Sequence, residues 1–142
     1  GSARTVVHSL LNFFDRNIYI WGRNKDNVDM FIKNINSKKV NTYTKSSPNS
    51  FVVINCLPLI IDENTIDIIV EDILPTHFQL FIDLNYLKTL FTKKLIEKKI
   101  NEILGLDMFI FQALKSFDIW FDNKYSDDLL YDRLKKVLEK NE

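Results

Sequence analysis

The chain has few of the residues that mark several common classes of protein. Its one cysteine, Cys56, excludes an intramolecular disulfide and any zinc module built on several cysteines. No apolar run approaches the roughly 20 residues that a membrane-spanning helix needs. The sequence does not open with the charged and then apolar pattern of a secretion signal. We therefore expect a soluble, cytoplasmic protein with no membrane partner.

Net charge is absent too, because 19 basic residues balance 19 acidic ones. No overall field favours nucleic acid or an anionic membrane, so any anion site must be local. Glycine is scarce, with 3 residues in 142, where average usage of ~7% would give about ten. Each of Gly1, Gly22 and Gly105 therefore carries more information about the backbone than a glycine usually does.

The residues that are present suffice for one ordinary domain, since 46% are hydrophobic and 13% aromatic. Segments with helical spacing alternate with short β-branched and aromatic runs. The run that opens 51–60 is apolar on both faces, which is typical of a buried parallel strand. The alternation predicts an α/β fold with a mainly parallel sheet. Helices are predicted at 3–15, 25–35, 88–104, 107–121 and 127–140, strands at 17–21, 38–43, from 51 and at 79–86, and only weak patterning at 62–77.

Ligands bind such sheets at the carboxyl ends of the strands. One predicted end is the turn 22–25, which lies about twenty residues after the start of the first helix. At this place in a dinucleotide-binding unit, an acid holds the ribose of NAD and an arginine accepts the 2′-phosphate of NADP. Here the acid is missing and Arg23 is present, which favours NADP. A solvated basic turn explains the same local sequence, and the exposed start of the first helix is a weak phosphate signal by itself.

Other site chemistries find less support. Cys56 ends a predicted strand, but the only histidines are His8 and His77, and neither lies at a strand end. No base can therefore be assigned to the thiol, and a packing role is favoured. Adjacent acids such as Asp62 and Glu63 point to different faces, so they cannot jointly hold a metal ion.

A polar residue, Gln112, interrupts the apolar stretch GLDMFIFQALKSFDIW at 105–120. Met108 and Ser116 lie four residues to either side of it, so the three share one side of a helix. That face is suited to a ligand wall, although a bond from Gln112 to a backbone carbonyl is an equal alternative. The predicted core stripe is separate and consists of Ile110, Ala113, Leu114, Phe117 and Phe121.

Five motifs in order resemble the NADP-binding C-terminal domain of the shikimate dehydrogenase family. GSARTVVHSLL resembles the end of its glycine-rich loop and the following helix, of the type GAGGAARAVVYAL. WGRN resembles its Asn-Arg-Thr turn, and INCLP is similar to INATP. DLNY followed by LKT resembles DLVYNPLKT. The most specific match is GLDMFIFQALKSFDIW, which resembles GLEMLVYQGAYSFEIW without a gap.

The resemblance implies a Rossmann-like, doubly wound, mainly parallel sheet over 1–142. It also implies reversible reduction of 3-dehydroshikimate to shikimate by NADPH, in the route to chorismate and aromatic amino acids. The substrate hydroxyls would be bound by Tyr86 and Gln112. The residues implied for NADP are Gly1 and Ser2 at the diphosphate, Gly22, Arg23, Asn24 and Lys25 at the 2′-phosphate, and Leu84, Gly105 and Met108 along the nicotinamide.

The sequence departs from the family pattern in two ways. Leu57 replaces a threonine, and no glycine follows Pro58. The second departure is larger, because the first strand and the N-terminal substrate domain with the catalytic lysine and aspartate are missing. We therefore expect a piece of a longer protein, inactive alone, with no catalytic residue; Asp83 and Lys88 receive no catalytic role. A relative that uses quinate and a non-catalytic module with the same fold remain alternatives.

Overall fold

The computed structural model describes residues 1–48, 52–73, 80–87, 90–97, 102–103, 105–122 and 128–140. The chain divides into two compact units, Gly1–Asn49 and Ser50–Glu142. Helices and strands alternate in the described residues, and every strand pair in them is parallel. The α/β class and the mainly parallel pairing are thus confirmed. In the same residues, no helix combines the length and the apolar character that crossing a bilayer requires.

The first unit holds two strands and two helices. β1 and β2 form a parallel pair in which Ile18 is opposite Val40. Val7, Val28 and Val40 are buried, so each element but β1 contributes a valine to this small core. The elements are α1 Ser2–Phe13, β1 Ile18–Ile20, α2 Lys25–Ile35 and β2 Val40–Thr42.

The second unit is built on three parallel strands, with β4 between β3 and β5. Phe81 on β4 and Phe91 on α4 are both fully buried, and their rings meet edge to face at 5.2 Å. Such aromatic pairs contribute packing beyond the area they bury. The elements are β3 Val52–Asn55, α3 Glu63–Ile68 continued by a π-helical turn Ile69–Ile73, β4 Leu80–Asp83, α4 Leu90–Glu97, β5 Glu102–Ile103, α5 Gly105–Phe121 and α6 Asp128–Glu139.

Helices α5 and α6 pack together through the first part of α5. Leu106, Ile110 and Leu114 are buried against the apolar side of α6. Asp107 fastens the same contact, because it accepts hydrogen bonds from the Tyr131 hydroxyl and from Lys135 Nζ, the second at 2.7 Å. The start of α5 is therefore held by both apolar packing and an ion pair.

The predicted core stripe of α5 is wrong in its second half. Phe117 is 40% exposed and Phe121 is 44% exposed. Their rings stack on each other at 5.6 Å, since they lie one helical turn apart. The buried residues of α5 that contact α6 reach only Leu114. A periodic apolar stripe is thus present, but among the described residues α6 buries only its first half.

Two further predictions need correction. The weakly patterned stretch at 62–77 begins with a helix, α3. Asp62 caps its first turn by accepting a hydrogen bond from Thr65 N at 2.8 Å. The helix predicted at 88–104 does not run to its end, because Glu102 and Ile103 pair with β4 as β5. Conversely, α5 begins two residues earlier than predicted, at Gly105.

Candidate functional site

The carboxyl end of β1 leads directly into α2 through the turn 22–25. Gly22 is needed there for packing, because a β-carbon at this position would lie 2.8 Å from Val28 Cγ2 in the core. Asn24 caps α2, since its side-chain oxygen accepts a hydrogen bond from Asn27 N at 2.9 Å. Two of the predicted cofactor residues, Gly22 and Asn24, therefore determine the shape of the turn.

Arg23 and Lys25 are the exposed cations of this turn. They flank the N-terminus of α2, where unpaired backbone N–H groups and the helix dipole favour an anion. Asp26 is the acidic residue in the first turn of the helix. The donors suit a phosphate group, while the position that would hold an unmodified ribose lacks an acid. The turn therefore presents two cations and a helix N-terminus at the carboxyl end of β1.

Side-chain hydroxyl groups also follow β2, the strand next to β1, and they were not among the predicted site residues. β2 is parallel to β1, so its carboxyl end lies at the same edge of the sheet as the basic turn. Thr44 N donates to Ser47 Oγ at 2.9 Å, and Thr44 Oγ1 lies 3.0 Å from Ser46 Oγ. No site residue was predicted in this segment, and the signal that points to it is its place directly after a parallel strand.

Gly1 and Ser2 lie at the start of α1 and are exposed. Gly1 is the N-cap without a side-chain cap bond, and its carbonyl oxygen accepts a hydrogen bond from Arg4 N at 3.1 Å. A β-carbon at Gly1 would meet nothing within 4 Å. Nothing packed against Gly1 demands a glycine there, and a role toward a diphosphate stays a prediction.

In the second unit, the carboxyl ends of β3 and β4 lie side by side, with Asn55 opposite Asp83. Both side chains are buried, Asn55 at 5% exposure and Asp83 at 1%. Asn55 Nδ2 donates to Asp83 Oδ1 at 3.1 Å. The other carboxylate oxygen, Oδ2, is buried and has no hydrogen-bond partner among the described residues. This buried polar pair was not predicted as part of the site.

Asn85 extends this pair into the turn after β4. Its backbone N–H and its side-chain Nδ2 both donate to Asp83 Oδ1 at 2.9 Å. The same Nδ2 donates to the carbonyl oxygen of Leu57 at 3.2 Å. Leu57 N in turn donates to Asn55 Oδ1 at 3.0 Å. The turn that departs from the family pattern at Leu57 is therefore tied to both strands by hydrogen bonds.

The thiol next to this network, that of Cys56, is partly buried. Burial, and then the charge of Asp83, raise the pKa of Cys56 from 9.0 to about 11. The thiolate is the nucleophilic form, so a raised pKa opposes nucleophilic chemistry at neutral pH. The packing interpretation of Cys56 agrees with this environment.

The start of α5 packs against the same turn. A β-carbon at Gly105 would overlap the carbonyl group of Asn85 and lie 2.8 Å from the carbonyl carbon of Leu84. Glycine at this position lets the helix approach the backbone closely. Two of the residues predicted for the nicotinamide side, Leu84 and Gly105, are therefore brought together.

Tyr86 lies beside the first turns of α5. It is 56% exposed, and its ring is 5.9 Å from the ring of Phe109. Gln112 follows Phe109 by three residues and is exposed, as is Met108, so Gln112 lies off the buried stripe as expected. Ser116 Oγ donates to the carbonyl oxygen of Gln112 at 3.0 Å. The predicted substrate residues thus lie on and next to one face of α5.

A small cavity of about 240 Å³ opens near the carboxyl ends of β3 and β4. Asn55 and Asn85 provide amide groups in its wall, and apolar residues such as Ile66 and Phe91 provide the rest. Its volume lies below the roughly 300 to 1,000 Å³ of ordinary ligand pockets. It is too small for a dinucleotide, so it has room for at most a small group.

No protein-family model and no curated protein matches the sequence. Solved structures do match it. A chorismate mutase/shikimate 5-dehydrogenase fusion protein from Clostridium acetobutylicum is 28% identical at a TM-score of 0.70, over 99% of this chain and 52% of that chain. Shikimate dehydrogenase 1 from Peptoclostridium difficile is 22% identical at a TM-score of 0.63, over 92% of this chain and 49% of that chain.

The second likeness concerns the fold alone, because the identity is low. The chain spans about half the length of each of these two proteins. Both are described as shikimate dehydrogenases or as fusions that contain one, and the motifs quoted above occur here in the same order as in that family's pattern. The chain has a shikimate dehydrogenase-like fold over nearly its whole length.

Proposed function

We propose that this chain is the cofactor-binding part of an NADP-dependent shikimate dehydrogenase. In the intact protein it acts together with an N-terminal substrate domain that supplies the catalytic lysine and aspartate. The observation that carries the proposal is the close packing of Gly105 on the backbone of Leu84 and Asn85. This packing brings the end of β4 and Tyr86 next to the face of α5 that carries Met108 and Gln112, at one edge of the second unit.

The cofactor is proposed to be NADP because of the turn after β1. Arg23 is the main charge for the 2′-phosphate, and Lys25 and the N-terminus of α2 add to it. Asn24 holds the turn through its cap bond to Asn27 N. An NAD enzyme would be expected to carry an acid here for the ribose hydroxyls. Gly1 and Ser2 are proposed to lie along the diphosphate, at the start of α1.

The nicotinamide is proposed to lie along Leu84, Gly105 and Met108. Bound along these residues, NADP would supply the acceptor for the hydride on the alcohol carbon of shikimate, and NADPH would supply the hydride donor to the carbonyl carbon of 3-dehydroshikimate. Tyr86 and Gln112 are proposed to donate or accept hydrogen bonds at the hydroxyls of shikimate, which fixes the ring for transfer. The alcohol proton is proposed to pass to the catalytic lysine and aspartate that the family resemblance places in the substrate domain.

The proposal is tested by initial rates of the intact protein with each pairing of shikimate or quinate and NADP or NAD. The expected result is the highest kcat/KM with shikimate and NADP. Preference for quinate would support the relative that uses quinate. Absence of turnover with every pairing, in a folded protein, would support a non-catalytic module and refute the proposal.

A further inference from the structure

The turns that follow β3 and β4 are joined by a side chain with no contact to substrate in the proposed function. We infer that Asn85 is a positioning residue, which ties these two turns together and so fixes the direction of Tyr86. This inference rests on the proposed function, because it assigns a role in the reaction to a residue behind the proposed site.

The hydrogen bonds of Asn85 run in two directions. Its Nδ2 donates to the carbonyl oxygen of Leu57 in the turn after β3, at 3.2 Å. The same nitrogen donates to Asp83 Oδ1 at the end of its own strand, at 2.9 Å. An amide nitrogen has two hydrogens, so both bonds are made at once. One side chain thus connects two segments that are 28 residues apart in the sequence.

The acceptors of these bonds are themselves fixed. Asp83 is buried, and its Oδ1 also accepts from Asn55 Nδ2 at 3.1 Å. The backbone adds another link, because Leu84 N donates to the carbonyl oxygen of Asn55 at 3.2 Å. A hydrogen bond to a charged, desolvated carboxylate is stronger than one between neutral groups. Asn85 is therefore anchored to a rigid part of the sheet.

The backbone of Asn85 is confined from the opposite direction. Gly105 at the start of α5 packs so closely on its carbonyl group that a β-carbon has no room. Three elements therefore meet at Asn85: the turn after β3, the end of β4 and the start of α5. Tyr86 is the next residue, and its ring lies against Phe109 on α5.

Tyr86 has more than half of its surface exposed, at 56%. Such a side chain is directed by the backbone that carries it more than by its own packing. A loosened turn would let the phenol leave the position where it meets the substrate. Misplacement of about 1 Å is enough to reduce a rate by roughly 100-fold. Loss of the amide at position 85 should therefore lower turnover and leave the basic turn after β1 unchanged.

The test compares Asn85→Leu with wild type in the intact protein. Leucine has the same branched arrangement of side-chain heavy atoms as asparagine but cannot donate a hydrogen bond. Asn85→Ser, which is too short to reach Leu57, is the second variant in case the first does not fold. Asn64→Leu changes an exposed asparagine on α3 of the same unit and serves as the control. Two experiments are made on each variant: steady-state kinetics give kcat and both KM values, and hydrogen exchange is followed at the backbone amides of 84–87.

The inference predicts a kcat reduced roughly 10- to 100-fold, with the KM for NADP within about twofold of wild type. The amides at 84–87 should exchange at least about tenfold faster, while the control behaves as wild type. An unchanged kcat in a folded Asn85 variant overturns the inference, whether or not the two KM values rise. If wild type itself does not oxidise shikimate, the proposed function fails, and the positioning role inferred for Asn85 fails with it.

Discussion

Gly105 lies against the carbonyl group of Asn85 without room for a β-carbon between them. This contact joins the first turn of α5 to the turn after β4. The contact thereby brings two sets of residues into one local structure. One is the helix face with Met108 and Gln112, and the other is Leu84 and Tyr86 after β4. The proposed nicotinamide and substrate contacts depend on this approach of helix to strand end.

Gly105→Ala is expected to destabilise the intact protein by about 1 to 3 kcal/mol, because backbone atoms must shift to admit the new methyl group. Denaturant unfolding followed by circular dichroism measures the change. Asn64→Ala, at an exposed position within α3, is the control. Equal stability of the two variants would contradict the close packing.

Arg23→Ala is expected to raise the KM for NADP by roughly 10- to 100-fold. A hydrogen bond between charged groups contributes about 1.5 to 3 kcal/mol, and each 1.4 kcal/mol corresponds to about tenfold. The KM for shikimate should stay within about twofold. Arg16→Ala, at another exposed arginine of the first unit, should leave both constants unchanged. Equal effects of Arg23→Ala on the two substrates would remove Arg23 from the cofactor site.

Gln112→Ala is expected to raise the KM for shikimate by about tenfold while the KM for NADP is unaffected. The reason is that a lost hydrogen bond to a substrate hydroxyl costs roughly 1 to 1.5 kcal/mol. Steady-state kinetics with each substrate varied in turn measure both constants. Lys136→Gln, an exposed change on α6, is the control. Unaltered shikimate kinetics in Gln112→Ala would show that this side chain does not touch the substrate.

The stability of the protein is expected to fall as the pH rises from about 9 to about 11, in part because of Cys56. The folded state holds the pKa of its thiol at about 11, above the ordinary value of 9.0. The unfolded thiol therefore ionises first, and unfolding is favoured over this range, whereas below pH 9 the contribution is fully present. Free energies of unfolding at a series of pH values, for wild type and Cys56→Ala, isolate this contribution. Parallel curves for the two proteins would be inconsistent with a raised pKa of this partly buried thiol.

The sequence predicted the class of the fold because its signals are local. Apolar runs marked β3 and β4, and helical spacing marked α2 and α5. β5 was missed because a strand of two residues, Glu102 and Ile103, is defined by its pairing with β4 and not by its own pattern. The exposed second half of α5 was missed for a similar reason, since the sequence does not reveal how far α6 extends along it.

Sequence reasoning singled out residues that carry chemistry by themselves, such as Arg23 in the basic turn and the exposed Gln112, and their binding roles stay predictions. The hydrogen-bonded group of Asn55, Asp83 and Asn85 was not predicted. Asn55 and Asp83 are 28 residues apart, and only the register of two parallel strands makes them neighbours. Gly105 was implied for the nicotinamide, but its contact with Asn85 depends on a helix approaching a strand end.

The most direct test is the formation of NADPH when shikimate is added to the intact protein with NADP. We predict a saturable rate that disappears when either substrate is left out and that falls in Gln112→Ala. A folded intact protein that binds NADP yet forms no NADPH from shikimate would contradict the proposed function.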